Sequence, residues 1–96
     1  MRARVESEPT LLPGADLVER GCEDLENGIE SIEALLVSIG APRLRELGID
    51  VRRPLDDAEH RLYALLARDE PDAAHSRYNA LLRRLVSFER GAECAR

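Results

Sequence analysis

The sequence predicts an all-α fold, an up-down-up bundle of three main helices plus a short connector helix. The first observation is an unbroken series of apolar residues at spacings of four and three, which is typical of a helix that packs lengthwise on other helices. This heptad seam consists of Val18, Cys22, Leu25, Ile29, Ile32, Leu36 and Ile39. Two later segments repeat the helical spacing, and no segment alternates apolar and polar residues as a half-buried strand does. With 96 residues, the chain has the size of one small domain.

The N-terminal residues lack this periodicity. Residues 1–13 contain Pro9 and Pro13 and show no apolar repeat. We therefore expect 1–13 to be a flexible N-terminal arm and 14–96 to form a single helical-bundle domain.

The heptad seam predicts one long first helix over residues 15–39. Asp16 and Glu19 near its start have the spacing of a capping box, in which two side chains satisfy the first backbone N–H groups. Gly40 and Pro42 follow its last apolar residue, and this pair is typical of a helix end.

The rest of the chain predicts the connector helix and a helical hairpin. The connector helix is expected near 42–47, the second main helix at about 55–69 and the third at about 72–90. Glu70-Pro71 interrupts the helical pattern between the last two, because proline removes a backbone donor and clashes with the preceding turn. So short a break predicts that these two helices are antiparallel neighbours.

The residues beside the seam indicate how the helices pair. Glutamate recurs every seventh residue on one side of the seam, at Glu19, Glu26 and Glu33. Arg77 and Arg84 flank the apolar stripe of the third helix on the side that would face these glutamates. The first and third helices run parallel in an up-down-up bundle, so we expect ion pairs between them. Gly21 and Gly28 share one face of the first helix, where we expect them to let another helix backbone come close.

Charge is unevenly distributed along the chain. The net charge is −5, and segment 15–39 alone carries seven acids against Arg20. Segment 72–96 carries five arginines against three acids. The acidic total disfavours general DNA binding, which needs a basic surface. All fourteen basic residues are arginine, which we interpret as the coding bias of a GC-rich bacterial genome.

Other features bear on location and assembly. Cys22 and Cys94 have no metal-site or CxxC spacing, and no signal peptide or apolar run of membrane-spanning length is apparent, so we expect a cytoplasmic protein. Leu17 and Leu35 lie off the seam and predict a second apolar face on the first helix. We expect a homodimer through that face.

The first candidate binding site is a set of arginines around the connector. It comprises Arg43, Arg45, Arg52 and Arg53. These residues are candidates for contact with an acidic partner protein. Nucleic acid binding through the same arginines is a less favoured alternative, because no aromatic residues are interleaved and Glu46 and Asp50 lie beside them.

The second candidate is an internal repeat that reads Asp-Ala-x-His-x-x-Tyr. It occurs at Asp57, His60 and Tyr63 and again at Asp72, His75 and Tyr78. An aspartate and a histidine three residues apart share a helix face and make a weak metal-site candidate. Each copy opens its own helix, however, and acids are favoured in a first turn by the helix dipole. No metal ion or other cofactor is therefore predicted.

The third candidate is a polar cluster at the start of the third helix. It contains His75, Arg77, Tyr78 and Asn79, and we interpret it as a solvated first turn more readily than as a ligand pocket. Arg68 and His75 have a spacing found in helical ribonucleases of the HEPN type. Pro71 lies between them and the pattern is unspecific, so no resemblance to that family is claimed.

These observations favour a small bacterial protein without enzymatic activity that acts through protein–protein interaction, in a regulatory or accessory role. The acidic face of the first helix would meet a basic partner, or the arginines of the connector an acidic one. An enzyme is the alternative, either nuclease-like or a metal-binding bundle that uses His60 or His75. An accessory protein that binds nucleic acid through the connector is the third possibility.

Overall fold

The computed structural model describes residues 12–95. In order, its helices are α1 (Ala15–Glu26), α2 (Ile32–Ile39), α3 (Ala41–Glu46), α4 (Ala58–Asp69) and α5 (Ala74–Cys94), with a 3-10 turn at Pro71–Ala73 before α5. No strand occurs among these residues, and the prediction of an all-α bundle is confirmed. The predicted arm at 1–13 lies outside the described residues except for Leu12 and Pro13, and so does Arg96.

The predicted first helix over 15–39 is two helices. Asn27 ends α1, and Gly28 follows it with a φ of 72°, in the left-handed region that glycine adopts at little cost. The Gly28 N–H donates to Leu25 O at 3.1 Å and the Ile29 N–H to Asp24 O at 2.8 Å. This pair of bonds is a Schellman motif, which satisfies the last carbonyls of a helix and turns the chain away.

Ser31 begins the second helix of this hairpin, α2, in which the chain direction is reversed. Its Oγ accepts a bond from the Ala34 N–H at 3.0 Å, which makes Ser31 the N-cap of α2. The same Oγ donates to Asp24 Oδ2 at 2.5 Å. The turn between α1 and α2 is therefore stabilised both at the end of α1 and at the start of α2. The two helices pack against each other as a hairpin.

Helix α2 is the centre of the molecule. It packs against α1, α3, α4 and α5. Leu35, Leu36 and Val37 are fully buried, so apolar surface on every side of this short helix is removed from water. Leu35 is thus unavailable for the second apolar face that we predicted, and dimerisation through that face is not supported.

The helix directions also differ from the prediction. The start of α1 and the end of α2 both lie against the second half of α5, where Gly14 approaches Arg84 and Gly40 approaches Leu85. Helix α2 is therefore parallel to α5, whereas α1 is antiparallel to it. The simple up-down-up order of three helices is replaced by two hairpins, α1 with α2 and α4 with α5, joined through α3.

The predicted ion pairs between the seam glutamates and the third helix do not form. Arg84 lies 3.5 Å from Asp16, and Arg77 lies 3.0 Å from Asp69 and 3.3 Å from Glu70. The pairing was inferred from two parallel helices, and the reversal of the chain at residues 27–31 removes that geometry.

Gly21 and Gly28, the two glycines beside the heptad seam, have different roles. A Cβ on Gly21 would overlap the Glu33 carbonyl and the Val37 side chain of α2, so Gly21 permits the close approach that we predicted. Gly28 has no atom near its missing Cβ and serves the left-handed turn instead. Close helix packing therefore accounts for one glycine, and turn geometry for the other.

The remaining helices differ from the predicted ones only in where they begin and end. The connector helix spans Ala41–Glu46, α4 starts at Ala58, and α5 extends to Cys94, beyond the predicted end at 90. Leu55 lies before α4, outside any helix, and its N–H donates at 2.9 Å to Ser38 Oγ on α2. A buried α2 side chain thus anchors the segment where we expected the first turn of the second helix.

Candidate functional site: an acidic groove along α1

The predicted arginine site at the connector is mostly occupied by partners within the chain. Arg43 lies 2.7 Å from Glu93 on α5 and 3.1 Å from Glu46. These contacts raise the pKa of the Arg43 guanidinium, chiefly through its hydrogen bond to Glu93. Arg43 therefore ties α3 to the end of α5.

Two further arginines of this set also have internal partners. Arg45 donates two bonds to the carbonyl oxygen of buried Val51, the shorter at 2.8 Å. Arg52 donates to Asp50 at 2.8 Å, and that hydrogen bond raises the pKa of its guanidinium. Arg53 is exposed, with a φ of 54°, and forms no ion pair within residues 12–95. The four residues do not form a common basic surface.

The two copies of the histidine repeat stay apart. Asp57 precedes α4 and His60 lies in its first turn. Asp72 lies in the 3-10 turn before α5 and His75 in the first turn of α5, at the other end of the hairpin. Within residues 12–95, no group of three or more His, Cys, Asp or Glu side chains is arranged to hold a metal ion. The tyrosines of the repeat do meet, with ring centroids 5.5 Å apart in an edge-to-face arrangement across the hairpin.

The polar cluster at the start of α5 is only partly exposed, since His75 is exposed whereas Arg77, Tyr78 and Asn79 are half-buried. Asn79 Nδ2 lies 3.2 Å from His75 Nε2, one helical turn away. Arg77 binds the acids at the end of α4, and Tyr78 is half-buried with a pKa raised chiefly by that burial. Arg68 lines a shallow depression with Glu30 and Arg61, which form an ion pair, and His75 does not belong to that lining.

A concave surface with a mixed apolar and acidic lining lies elsewhere, along α1. It has a volume of about 780 Å³. Its apolar lining is Leu12, Ala15, Val18, Cys22, Ile49 and Phe88. Its charged lining is Asp16, Glu19, Arg20, Glu23, Glu26 and Asp50. We refer to this surface as the acidic groove.

The groove is formed by three parts of the chain. Helix α1 supplies one wall. Its apolar residues recur with the 3.6-residue helical period and share one side of the helix, and acidic residues flank them. Phe88 on α5 closes one end of the floor. The Schellman motif that ends α3 brings Ile49 to the groove, since the Ile49 N–H donates to Leu44 O at 3.0 Å and Gly48 adopts a φ of 92°.

Three of the five acids of the groove have no charged partner among the described residues. Five acids face one arginine in its lining. Asp16 is in contact with Arg84 and Asp50 with Arg52, but Glu19, Glu23 and Glu26 form no ion pair within the described part of the chain. The pKa of the half-buried Cys22 thiol is raised, first by burial and then by the negative charges of Glu26 and Asp50. The groove therefore combines an apolar floor with a negative potential.

Sequence reasoning found only part of this site. The acidic excess of 15–39 and the possibility of a basic partner for the first helix were predicted. Ile49, Asp50 and Phe88 were not connected to it, because they reach α1 only through the folding of α3 and α5 against the first hairpin. No local sequence signal marks such a long-range approach.

Comparison of the chain with protein-family models, with curated proteins and with solved structures finds no significant match. None of the helices within residues 12–95 combines the length and the apolar character that crossing a membrane requires. The groove is therefore the feature of this chain that indicates a function.

Proposed function

We propose that this chain is a non-enzymatic regulatory or accessory protein of the bacterial cytoplasm that binds another protein through the acidic groove. The observation that carries the proposal is the combination of an apolar floor with uncompensated acids on one concave surface. Apolar area provides most of the binding free energy at protein interfaces, and charge mainly determines orientation and partner choice.

The groove also indicates the chemistry of the partner. Glu19, Glu23 and Glu26 lie along one side of α1, on successive helical turns. A complementary segment therefore presents arginine or lysine at helical spacing, beside aliphatic side chains for the floor. Helix α1 is about 18 Å long at 1.5 Å per residue, which matches about three turns of a partner helix.

Site-specific photo-cross-linking in cells tests this proposal. A photoreactive amino acid replaces Glu23 in the groove and, as a matched control, Glu59, an exposed acid on α4 outside the groove. We expect a discrete cross-linked product from position 23 alone, with the attached peptide rich in basic and aliphatic residues. The same products from both positions, or none from position 23, would contradict the proposal.

A second arm separates specific binding from general attraction of charge. Here the photoreactive amino acid replaces Glu26, and Glu19 and Glu23 are both changed to arginine. The cross-link from position 26 should then be lost, because attraction becomes repulsion along the groove wall. The changes of Glu59 and Asp72 to arginine alter the net charge by the same amount outside the groove and should leave that cross-link intact. Equal loss in both variants would indicate that net charge, and not the groove, directs the interaction.

A further inference from the structure

A second surface of the molecule has the chemistry that the acidic groove requires. The outer side of α5 forms a shallow depression of about 500 Å³. It is lined by Asn79, Leu82, Arg83, Val86, Ser87 and Arg90. We refer to it as the α5 stripe.

The α5 stripe is both apolar and basic. Val86 is 40% exposed, and Leu82 is half-buried one turn earlier. Arg83 and Arg90 are exposed and form no ion pair within residues 12–95, in contrast to Arg77 and Arg84 on the same helix. A pair of free arginines beside exposed aliphatic side chains is the complement of the groove.

The dimensions of the two surfaces agree. The α5 stripe from Asn79 to Arg90 and helix α1 each span twelve residues, which is about 18 Å at 1.5 Å per residue. Arg83 and Arg90 are seven residues apart, the same separation as Glu19 and Glu26. Two helices packed side by side keep this separation in register over two turns.

The α5 stripe cannot bind the groove of its own chain. Phe88 lines the groove, whereas Val86 lies roughly 200° away around the same helix, since successive residues differ by about 100°. The two surfaces therefore face different sides of the bundle. A contact between them has to join two copies of the chain, and it leaves one groove and one stripe free at the ends.

We infer that the acidic groove binds the α5 stripe of a second copy, so that the chain self-associates head to tail. Glu19, Glu23 and Glu26 then face Arg83 and Arg90, while Val86 and Leu82 cover the apolar floor. The inference rests on the proposed function, because it names a second copy as the partner of the same groove. A single helix pair of this length forms a small interface, so the association is weak and depends on concentration.

A charge-swap experiment tests this arrangement by sedimentation velocity from micromolar to millimolar protein. The native chain should rise progressively above its monomer mass of 10.7 kDa and pass the mass of a dimer. One variant carries Glu19→Arg with Glu23→Arg, and the other carries Arg83→Glu with Arg90→Glu. We expect each variant alone to stay monomeric, because like charges then meet at the inferred contact between groove and stripe.

An equimolar mixture of the two variants decides the matter. In the mixture, the basic groove of one variant meets the acidic stripe of the other, and the unchanged surfaces match as well, so the rise in mass should return. A control with Glu59→Arg and Asp72→Arg has the same change in net charge as the groove variant and should associate like the native chain. The inference would be overturned if the mixture stayed monomeric, or if either the groove variant or the stripe variant associated by itself.

The outcomes also separate this inference from the proposed function. Circular dichroism first verifies that each variant is folded, and Arg83→Gln with Arg90→Gln provides a milder variant if the reversals unfold the chain. A monomeric native chain whose Glu23 position cross-links a different protein overturns self-association and leaves the proposed function standing. A cross-link from position 23 into residues 1–11 of the same chain also overturns it and assigns the groove to that segment.

Discussion

Asp24 and Ser31 are joined by a hydrogen bond of 2.5 Å between Ser31 Oγ and Asp24 Oδ2. Asp24 lies in the last turn of α1, and Ser31 is the N-cap of α2. The bond links the two helices at the point where the chain reverses. The reversal places α1 on the outside of the molecule, where its acids line the groove.

The first prediction concerns this link. Ser31→Ala removes both the bond to Asp24 and the cap of α2, and we expect it to lower the free energy of unfolding by about 1–2 kcal/mol. Asp24→Ala leaves the cap in place and should cost less. Urea denaturation of the two variants and of their combination measures the coupling between them. Independent, additive losses would show that the bond contributes nothing to the hairpin.

The second prediction compares Gly21 and Gly28, the two glycines beside the heptad seam. Gly21→Ala forces a Cβ into the Glu33 backbone and Val37, so we expect a loss of about 1–3 kcal/mol, typical of overpacking. Gly28→Ala meets no neighbouring atom and loses only the conformational advantage of glycine at positive φ, about 1 kcal/mol. Thermal unfolding monitored by circular dichroism ranks the two. A larger loss at Gly28 would contradict the close approach of α1 and α2.

The third prediction concerns Ser38, a buried polar residue on α2. Its Oγ donates to Ala34 O at 2.8 Å and accepts from the Leu55 N–H at 2.9 Å. Ser38→Ala leaves the Leu55 N–H without its partner, and we expect a loss of about 1–3 kcal/mol. Hydrogen exchange of the Leu55 amide should also become faster. Unchanged exchange at this amide would show that Ser38 does not hold the segment before α4.

The fourth prediction concerns the pH dependence of stability. The pKa of Glu89 is raised by its partial burial, although Arg43 acts in the opposite direction. A raised pKa in the folded state means that the charged carboxylate destabilises the fold at neutral pH, and that this cost disappears as the pH falls through that pKa. Glu89→Gln should therefore stabilise the protein at pH 7, by up to about 0.5 kcal/mol.

The same variant has a built-in control. The advantage of Glu89→Gln should vanish below about pH 4, where the native glutamate is also protonated. Chemical denaturation at both pH values measures the difference. A stabilisation that is equal at the two pH values would point to packing instead of charge.

Much of the fold could be predicted from local patterns. Helical spacing of apolar residues identified the all-α class, and Pro71 identified the turn of the second hairpin, because proline acts on its immediate neighbours. The signals for the first turn were also local: Asn27-Gly28 and the capping residue Ser31. The heptad seam concealed them, since the apolar residues keep their spacing across the loop and periodicity does not report the direction of the chain.

The sequence by itself thus determined that the chain is helical, that α4 and α5 form a hairpin, and that α1 is strongly acidic. Only the tertiary structure decided which surfaces these elements share. The reversal at Gly28 changed the partners of Arg77 and Arg84, and the end of α3 brought Ile49 and Asp50 next to Cys22. Contacts of this kind depend on the relative direction of distant elements, and a spacing pattern within one element carries no information about that direction.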